Sequence, residues 1–157
     1  MLVEQAMTTA TACCGLNDSL ETIAYQMWNG DFGAVPVLNE QGMPVGMITD
    51  RDIAMATALR HASPAQLFAH ELVGQRPLVS CSPKWELKQA LKLMVKEKIR
   101  RLPVVDDEHR VVGLISLCDI IEVAGSGRKK SDVAVADLVA AQRLIAESHK
   151  MIAKSEA

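Results

Sequence analysis

Residues 35–53 read V-P-V-L-N-E-Q-G-M-P-V-G-M-I-T-D-R-D-I, and the fold can be worked out from this stretch. The apolar segments 33–38 and 44–49 flank a polar turn at residues 39–42, a pattern typical of a β-hairpin with a longer loop. A helix is predicted to begin near Asp50 and to run toward Arg60. The stretch therefore predicts two strands followed directly by a helix.

This pattern occurs twice in the chain. A shift of 67 residues places residues 3–54 on residues 70–121 without a gap, and residues 102–120 (L-P-V-V-D-D-E-H-R-V-V-G-L-I-S-L-C-D-I) repeat the hairpin and helix. The identities at this offset include Pro36 with Pro103, Gly46 with Gly113, and Asp52 with Asp119. One unit of about 52 residues buries too little surface to be stable alone, so two packed copies are expected to share one core.

An amphipathic helix precedes each hairpin. In the first copy, Asp18 and Glu21 fit a capping box with Asp18 as the N-cap, and Gly30 is the predicted stop. In the second copy, Ser82 is the predicted N-cap, with Pro83 at the first helical position. We expect an α/β (α+β) fold with two β-α-β-β-α repeats, packed sheet to sheet with pseudo-twofold symmetry, plus a C-terminal helix.

The expected domain boundaries follow from the repeat. Repeat 1 covers residues 1–62, repeat 2 covers 63–124, a basic flexible loop covers 125–130 and an amphipathic helix covers 131–157. Ser131 or Asp132 is predicted to cap this helix, whose apolar positions are Leu138, Leu144, Ile145, Met151 and Ile152. We expect its apolar face to pack back on the repeats, and the alternative is a helix that binds a second copy or a partner protein.

Composition narrows the classes of function. The 157 residues are 49% hydrophobic, and 17 basic against 19 acidic side chains give a net charge of −2, which argues against nucleic-acid binding. No apolar run approaches the ~20 residues that span a bilayer, and the start of the chain lacks a signal-peptide pattern. We therefore expect a cytoplasmic protein with reduced cysteines. The Cys and His residues show neither metal-ligand spacing nor a catalytic constellation, so we expect no metal site and no enzyme activity.

The sharpest local pattern lies where the last strand of each copy meets its helix. Thr49 and Asp52 in the first copy, like Ser116 and Asp119 in the second, place a hydroxyl before the helix and a carboxylate three residues on. One interpretation is a capping box, in which these groups only satisfy the helix N-terminus. The other is a ligand site, in which the helix N-terminus and the hydroxyl bind a phosphate and the carboxylate accepts hydrogen bonds from a ribose diol.

Other residues beside these junctions favour the ligand interpretation. Arg51 supplies a positive charge in the first copy, and Arg100 and Arg101 are candidates for the same role in the second. Gly46 and Gly113 are expected to let each strand end approach a ligand closely.

Taken together, these motifs resemble a tandem pair of CBS domains (named for cystathionine β-synthase), the arrangement called a Bateman module. The resemblance covers residues 1–124 and implies an adenine nucleotide bound in the clefts between the repeats: AMP, ADP or ATP, or else NAD or S-adenosylmethionine. It implies that Thr49 and Ser116 contact phosphate, while Asp52 and Asp119 hold the ribose hydroxyls. The residues that it places beside the ligand are Ala12, Cys13, Val35, Pro36, Arg51, Val79, Ser80, Arg101, Leu102 and Pro103.

These observations predict a regulatory module that senses adenine nucleotides without catalysing a reaction. We expect a homodimer that signals in trans to an unidentified protein partner, with neither nucleic acid nor membrane as a partner. The alternative is an interaction or dimerisation scaffold whose ligand sites are vestigial.

Overall fold

The chain forms two compact units. The computed structural model describes residues 1–9, 11–125 and 133–155, with side chains in the last helix described as far as Glu147. The first unit comprises the described parts of Ala10–Val79 with Asp107–Val111, and the second comprises the described parts of Met1–Thr9, Ser80–Asp106 and Val112–Ala157. The strands are β1 (Cys14–Gly15), β2 (Ala34–Leu38), β3 (Pro44–Thr49), β4 (Arg101–Val105) and β5 (Val111–Ser116). The helices are α1 (Leu20–Gly30), α2 (Asp50–Arg60), α3 (Leu87–Glu97), α4 (Leu117–Gly125) and α5 (Val135–Ser155). The predicted α/β class with two repeats is confirmed.

The first unit contains a three-stranded sheet in the order β1-β2-β3. Strand β1 runs parallel to β2, with Cys14 opposite Val37, and β2 runs antiparallel to β3, with Ala34 opposite Thr49. The predicted hairpin turn is closed by Asn39, whose side-chain oxygen accepts hydrogen bonds from two backbone amides of the loop. The register therefore places the end of β3 beside the start of β2.

The core of the first unit is aliphatic. Helix α1 buries Leu20, Ile23 and Met27, whereas Trp28, which the apolar spacing of the sequence places on the same face, is exposed. Helix α2 adds small and branched side chains to the core. The buried residues include Leu20, Ile23, Met27, Val35, Val37, Ile48, Ile53 and Ala56. This packing holds the N-terminus of α2 at the sheet edge, because α2 follows β3 without a loop.

The cap of α1 differs from the sequence prediction by one residue. Ser19 is the N-cap, since its hydroxyl accepts a hydrogen bond from the Thr22 amide at 3.1 Å. Asp18 instead accepts from the Gly15 amide at 2.8 Å, so its carboxylate stabilises the turn that leads into the helix. The prediction of Asp18 as the cap is wrong because both residues are good caps and only the backbone register distinguishes them.

The predicted cap of the second copy is also wrong. Ser82 and Pro83 form a turn, in which the Trp85 amide donates to the Ser82 carbonyl at 3.1 Å, and α3 begins only at Leu87. The carbonyl groups of Pro83 and Trp85 accept hydrogen bonds from the N-terminal segment at 3.0 and 2.8 Å. A helix that began at Pro83 would use these carbonyls internally, so the N-terminal segment fixes the later start.

The first residues of each repeat pack in the unit formed mainly by the other repeat. Thr8 pairs antiparallel with Leu114 of β5 through two hydrogen bonds of 2.9 Å, so the start of the chain belongs to the second unit. In the first unit, the Leu67 carbonyl accepts from the Leu20 amide at 2.8 Å, and Ala69 is fully buried. The compact units and the sequence repeats therefore differ at their edges.

Helix α5 packs against α3 and α4 in the second unit. Leu138 and Ile145 are buried, as the expectation of a helix packed back on the repeats requires, whereas Leu144 is 52% exposed and lies outside the buried stripe. The helix begins at Val135, and the predicted caps Ser131 and Asp132 lie outside the described residues, as do the side chains of Met151 and Ile152. Within the described chain, no helix has the length and apolar character needed to cross a membrane.

Candidate ligand site

The junction between β3 and α2 is a closed set of three hydrogen bonds. The Thr49 hydroxyl accepts from the Asp52 amide at 3.2 Å. Oxygen Oδ2 of Asp52 accepts from the Thr49 amide at 2.8 Å and from the Thr49 hydroxyl at 2.7 Å. This is a capping box, so both side chains satisfy the N-terminus of α2 with the geometry that the capping interpretation describes.

The junction between β5 and α4 repeats this geometry. The Ser116 hydroxyl accepts from the Asp119 amide at 3.2 Å, and Oδ2 of Asp119 accepts from the Ser116 amide at 2.7 Å and from its hydroxyl at 2.6 Å. Asp119 is half-buried, whereas Asp52 is exposed. Hydrogen bonds at Asp119 are therefore shielded more strongly from water.

Each carboxylate keeps one oxygen for a further partner. Within the described residues, no hydrogen bond reaches Oδ1 of Asp52 or Oδ1 of Asp119. An ionised carboxylate only accepts hydrogen bonds, so this oxygen suits a donor such as a ribose hydroxyl. The hydroxyls of Thr49 and Ser116 already donate to the carboxylates, so they can donate to a phosphate only after releasing that bond.

The register of the first sheet gathers most of the predicted residues of the first copy. Because Cys14 lies opposite Val37 in parallel strands, the residues just before β1 lie beside the first half of β2. Thr49 lies opposite Ala34 at the same edge of the sheet. The residues at this edge are Ala12, Cys13, Val35, Pro36 and Thr49.

The second copy shows the same arrangement through individual hydrogen bonds. Cys81 pairs in parallel with Val104, and its amide donates to the Pro103 carbonyl at 3.1 Å. The Leu117 amide donates to the Arg100 carbonyl at 2.9 Å, which joins the start of α4 to the start of β4. The predicted residues that lie on or next to these segments are Ser80, Arg101, Leu102, Pro103 and Ser116. Val79 is half-buried and lies outside both the β1-β2-β3 sheet and the two-stranded sheet formed by β4 and β5.

The first turns of α2 and α4 differ in charge. In α2, the Arg51 amide donates a hydrogen bond to the Asp50 carboxylate at 2.7 Å. The positive charge of Arg51 is therefore preceded in the helix by the negative charge of Asp50. In α4, Leu117 occupies the position equivalent to Asp50, so the Cys118 amide has no carboxylate from the preceding residue. The sequence interpretation overlooked Asp50, although an acidic residue at the first helical position is a recognisable signal of a satisfied helix N-terminus.

Gly46 and Gly113 are needed for contacts within the protein. A Cβ at Gly46 would lie 2.6 Å from the Cβ of Val73. A Cβ at Gly113 would lie 2.7 Å from the carbonyl oxygen of Thr8 and 2.8 Å from the Sδ of Met7. The groups that approach these glycines closely are therefore protein groups: Val73 at Gly46, and Met7 and Thr8 at Gly113.

Two of the four free cysteines, Cys14 and Cys81, are buried in the apolar core. Burial raises the pKa of the Cys81 thiol to about 12. Burial, with a smaller contribution from the Asp18 carboxylate, raises the pKa of the Cys14 thiol to about 12. Burial also raises the pKa of Cys13, which precedes β1 in the candidate site, so its thiol is an uncharged contact surface near neutral pH.

Among the side chains that the structure describes, no three His, Cys, Asp or Glu residues are grouped so that they could hold a metal ion.

Comparisons with known proteins match this architecture. A CBS domain family model matches residues 3–58 and 71–126. The CBS domain-containing protein YhcV of Bacillus subtilis is 38% identical over 118 residues, which cover 75% of this chain and 81% of that protein. An uncharacterized protein of Methanopyrus kandleri is 36% identical over 101 residues, 64% of this chain, and the match spans only 51% of that protein's length. The solved structure of the CBS domain pair of protein MJ0100, in complex with 5′-methylthioadenosine and S-adenosyl-L-methionine, matches with a TM-score of 0.73 at 26% identity and covers 82% of this chain and 98% of that one.

The fold and the two junctions define a class of protein with tandem α/β repeats, each of which places a hydroxyl and a carboxylate at the start of its last helix. The family model matches both repeats. The chain belongs to the CBS domain family.

Proposed function

We propose that the chain is a regulatory module that binds an adenine nucleotide or a related adenosine derivative at the Thr49–Asp52 and Ser116–Asp119 junctions. The observation that carries this proposal is the unused carboxylate oxygen at each junction, next to a strand edge lined by small and apolar residues. That combination suits a ribose diol attached to a flat apolar base. The two adenosine derivatives bound by the MJ0100 domain pair support the ligand class.

The two junctions favour different ligands within this class. The second has Arg100 just before β4, Arg101 at the first position of β4, and no acidic side chain at the first position of α4, so it suits a phosphate-bearing ligand such as AMP, ADP, ATP or NAD. In the first, Asp50 adds a negative charge beside Asp52 and already binds the Arg51 amide. A ligand with a cationic sulfonium, such as S-adenosylmethionine, is favoured there.

The output of the module is a change in arrangement that a protein partner recognises in trans. A ligand that binds one arrangement more tightly shifts the population toward it. We propose that the module acts as a homodimer in the cytoplasm and has no catalytic role of its own.

The second candidate function is a scaffold with vestigial ligand sites. It is favoured by the capping boxes, because the hydroxyls of Thr49 and Ser116 already donate their hydrogen bonds to the carboxylates of Asp52 and Asp119. The two functions differ in what a ligand does to stability, and this difference can be measured.

Thermal unfolding with AMP, ADP, ATP, NAD and S-adenosylmethionine separates these two functions. A ligand present at 100 times its Kd stabilises the folded chain by about 2.7 kcal/mol, which raises Tm by several degrees. We expect such a rise with at least one phosphate-bearing ligand. An unchanged Tm across the whole panel at millimolar concentration contradicts the sensor and supports the scaffold.

A matched pair of variants assigns the response to the junction. Asp119→Ala removes both the cap and the proposed ribose acceptor, whereas Gln89→Ala removes only a cap, since the Gln89 side chain accepts from the Glu86 amide at 2.9 Å at the start of α3. Both variants are expected to lower Tm, because a lost cap costs about 1 kcal/mol. Only Asp119→Ala is expected to lose the response to the phosphate-bearing ligand. Loss of the response in both variants would contradict the assignment.

A further inference from the structure

A basic tract, residues 84–101, runs along α3 and into the start of β4. It carries seven basic and two acidic side chains, a net charge of +5, whereas the other residues of the chain carry ten basic and 17 acidic side chains, a net charge of −7. The five lysines and two arginines of the tract are all exposed. Positive charge is therefore concentrated in one segment of a chain whose net charge is −2.

Three lysines of the basic tract form a row on one side of α3. Lys88, Lys92 and Lys96 are four residues apart, so they lie on the same side of the helix. The side chains that α3 buries come from the opposite side of the helix: Leu87, Ala90, Leu91 and Met94. The row is therefore presented to solvent along the length of α3.

Helix stability does not explain this row of lysines. Like charges four residues apart destabilise a helix, and none of the residues three or four positions from Lys88, Lys92 or Lys96 is acidic. Lys88 also lies in the first turn of α3, where the helix dipole favours an acidic side chain. The Lys96 ammonium lies 3.5 Å from the Glu97 carboxylate, yet its side chain is still 78% exposed. A partner that supplies carboxylates to the row would remove the repulsion between its lysines.

The basic tract also has charged groups that no other part of the described chain neutralises. Within the described residues, no ion pair or hydrogen bond engages the side chains of Lys92, Lys98, Arg100 and Arg101. The equivalent segment of repeat 1, residues 17–34, has three acidic side chains and no basic one. The positive surface is therefore a property of repeat 2 alone.

The extent of the basic tract favours a small anionic partner over a large one. The 11 residues of α3 span only ~16 Å, whereas a nucleic acid or a membrane surface extends much further and is repelled by the net charge of −7 on the other residues. No large apolar or aromatic side chain of the tract is exposed. The tract therefore lacks both the apolar anchors that hold a protein on a bilayer and the rings that stack on single-stranded bases.

We propose that the basic tract binds an acidic segment of a protein partner by charge complementarity. An extended segment of about eight residues spans ~26 Å, long enough to follow the lysines of α3 and to reach the arginines at the start of β4. A lysine ammonium binds a carboxylate as a point charge, and each exposed pair contributes little, so affinity depends on several carboxylates bound at once. This inference goes beyond the proposed ligand site and requires no bound ligand.

Fluorescence anisotropy with a fluorescein-labelled peptide of about eight glutamates, at ~0.15 M salt, tests the tract. The full wild-type chain is expected to bind this peptide and not a glutamine peptide of the same length. Lys92→Glu is expected to raise the Kd about 3- to 10-fold, and Lys92→Glu with Lys96→Glu at least about 10-fold. Arg76→Glu is the matched control, because Arg76 is exposed outside the tract and its replacement changes the net charge equally. Its Kd is expected to stay within about twofold of the wild type.

Both glutamate variants are expected to fold, because the replaced lysines are exposed and each replacement removes like-charge repulsion within α3. Far-UV circular dichroism checks this. Absence of glutamate-peptide binding to the wild type at millimolar concentration overturns the proposal. Equal loss of binding in Lys92→Glu and Arg76→Glu, or an unchanged Kd in the double variant, overturns it as well.

Two further probes distinguish the classes of anionic partner. A labelled oligothymidylate of about eight nucleotides is measured in the same way, and vesicles of phosphatidylcholine and phosphatidylserine are tested by co-sedimentation. The glutamate peptide is expected to bind most tightly of the three. Tighter binding of the oligonucleotide or of the vesicles assigns the tract to that class of partner and contradicts the proposal.

Discussion

Replacement of Gly113 by alanine tests the packing of the first residues of the chain on β5. The added methyl would lie 2.7 Å from the Thr8 carbonyl oxygen and 2.8 Å from the Sδ of Met7. The Met7 side chain can rotate away, but Thr8 is held by two hydrogen bonds of 2.9 Å to Leu114. An added methyl in a packed position costs about 1–3 kcal/mol, and strain on two backbone hydrogen bonds adds about 1 kcal/mol. We expect Gly113→Ala to lower the free energy of unfolding by about 2–4 kcal/mol.

Equilibrium urea denaturation measures this loss, and the chain offers two controls. Among the described residues, a methyl added by Gly125→Ala meets no atom within 4 Å beyond its chain neighbours and its own helix backbone, so its stability is expected to stay within about 0.5 kcal/mol of the wild type. Adding Met7→Ala to Gly113→Ala is expected to restore little, because the contact with the Thr8 carbonyl remains. If Gly113→Ala is as stable as Gly125→Ala, the start of the chain does not pack on β5 and the reasoning is refuted.

Two further predictions concern the core. Ile145→Ala in α5 is expected to lower the free energy of unfolding by about 2–5 kcal/mol in urea denaturation, because Ile145 is fully buried, whereas Leu144→Ala at a half-exposed position is expected to change it by less than about 0.5 kcal/mol. Equal losses of unfolding free energy in the two variants would contradict the assignment of Ile145 to the buried side of α5 and of Leu144 to its exposed side. The pKa of about 12 at Cys14 and Cys81 keeps both thiols protonated in the folded chain while unfolded thiols ionise above pH 9.0. The free energy of unfolding that these two buried thiols contribute is therefore fully present below pH 9. It is lost as the pH rises toward 12, by up to about 1.4 kcal/mol per pH unit for each thiol. Cys81→Ala is expected to reduce this slope in urea midpoints measured against pH, and an unchanged slope would contradict the burial argument.

The features that sequence could predict are those fixed by neighbouring residues. The hairpin around Asn39 and the bounds Asp50–Arg60 of α2 depend on turn residues and apolar periodicity within a few positions, and the structure confirms both. The pairing of hydroxyl and carboxylate at Thr49 and Asp52 is equally local, so the motif alone predicted both its capping geometry and its candidate role.

The features that sequence could not predict depend on residues far along the chain. The turn at Ser82 and Pro83 persists because the N-terminal segment binds its carbonyl groups, and no local pattern encodes that contact. The close neighbour of Gly46 is Val73, which belongs to the second sequence repeat but packs in the first unit. The acidic residue at the start of α2 is visible in the sequence, but the structure alone tells that the Asp50 carboxylate binds the amide of the next residue and does not simply face solvent.

The role of the junction carboxylates in ligand binding is the central claim, and isothermal titration calorimetry with AMP tests it most directly. The wild type, Asp52→Asn and Asp119→Asn are compared, because asparagine keeps the size of the side chain and a capping oxygen while removing the charge. A hydrogen bond to a charged group contributes about 1.5–3 kcal/mol, so Asp119→Asn is expected to weaken AMP binding by about 10- to 100-fold. Asp52→Asn is expected to leave AMP binding close to that of the wild type. Equal AMP affinity in all three proteins would contradict the account and would leave the two junctions as helix caps alone.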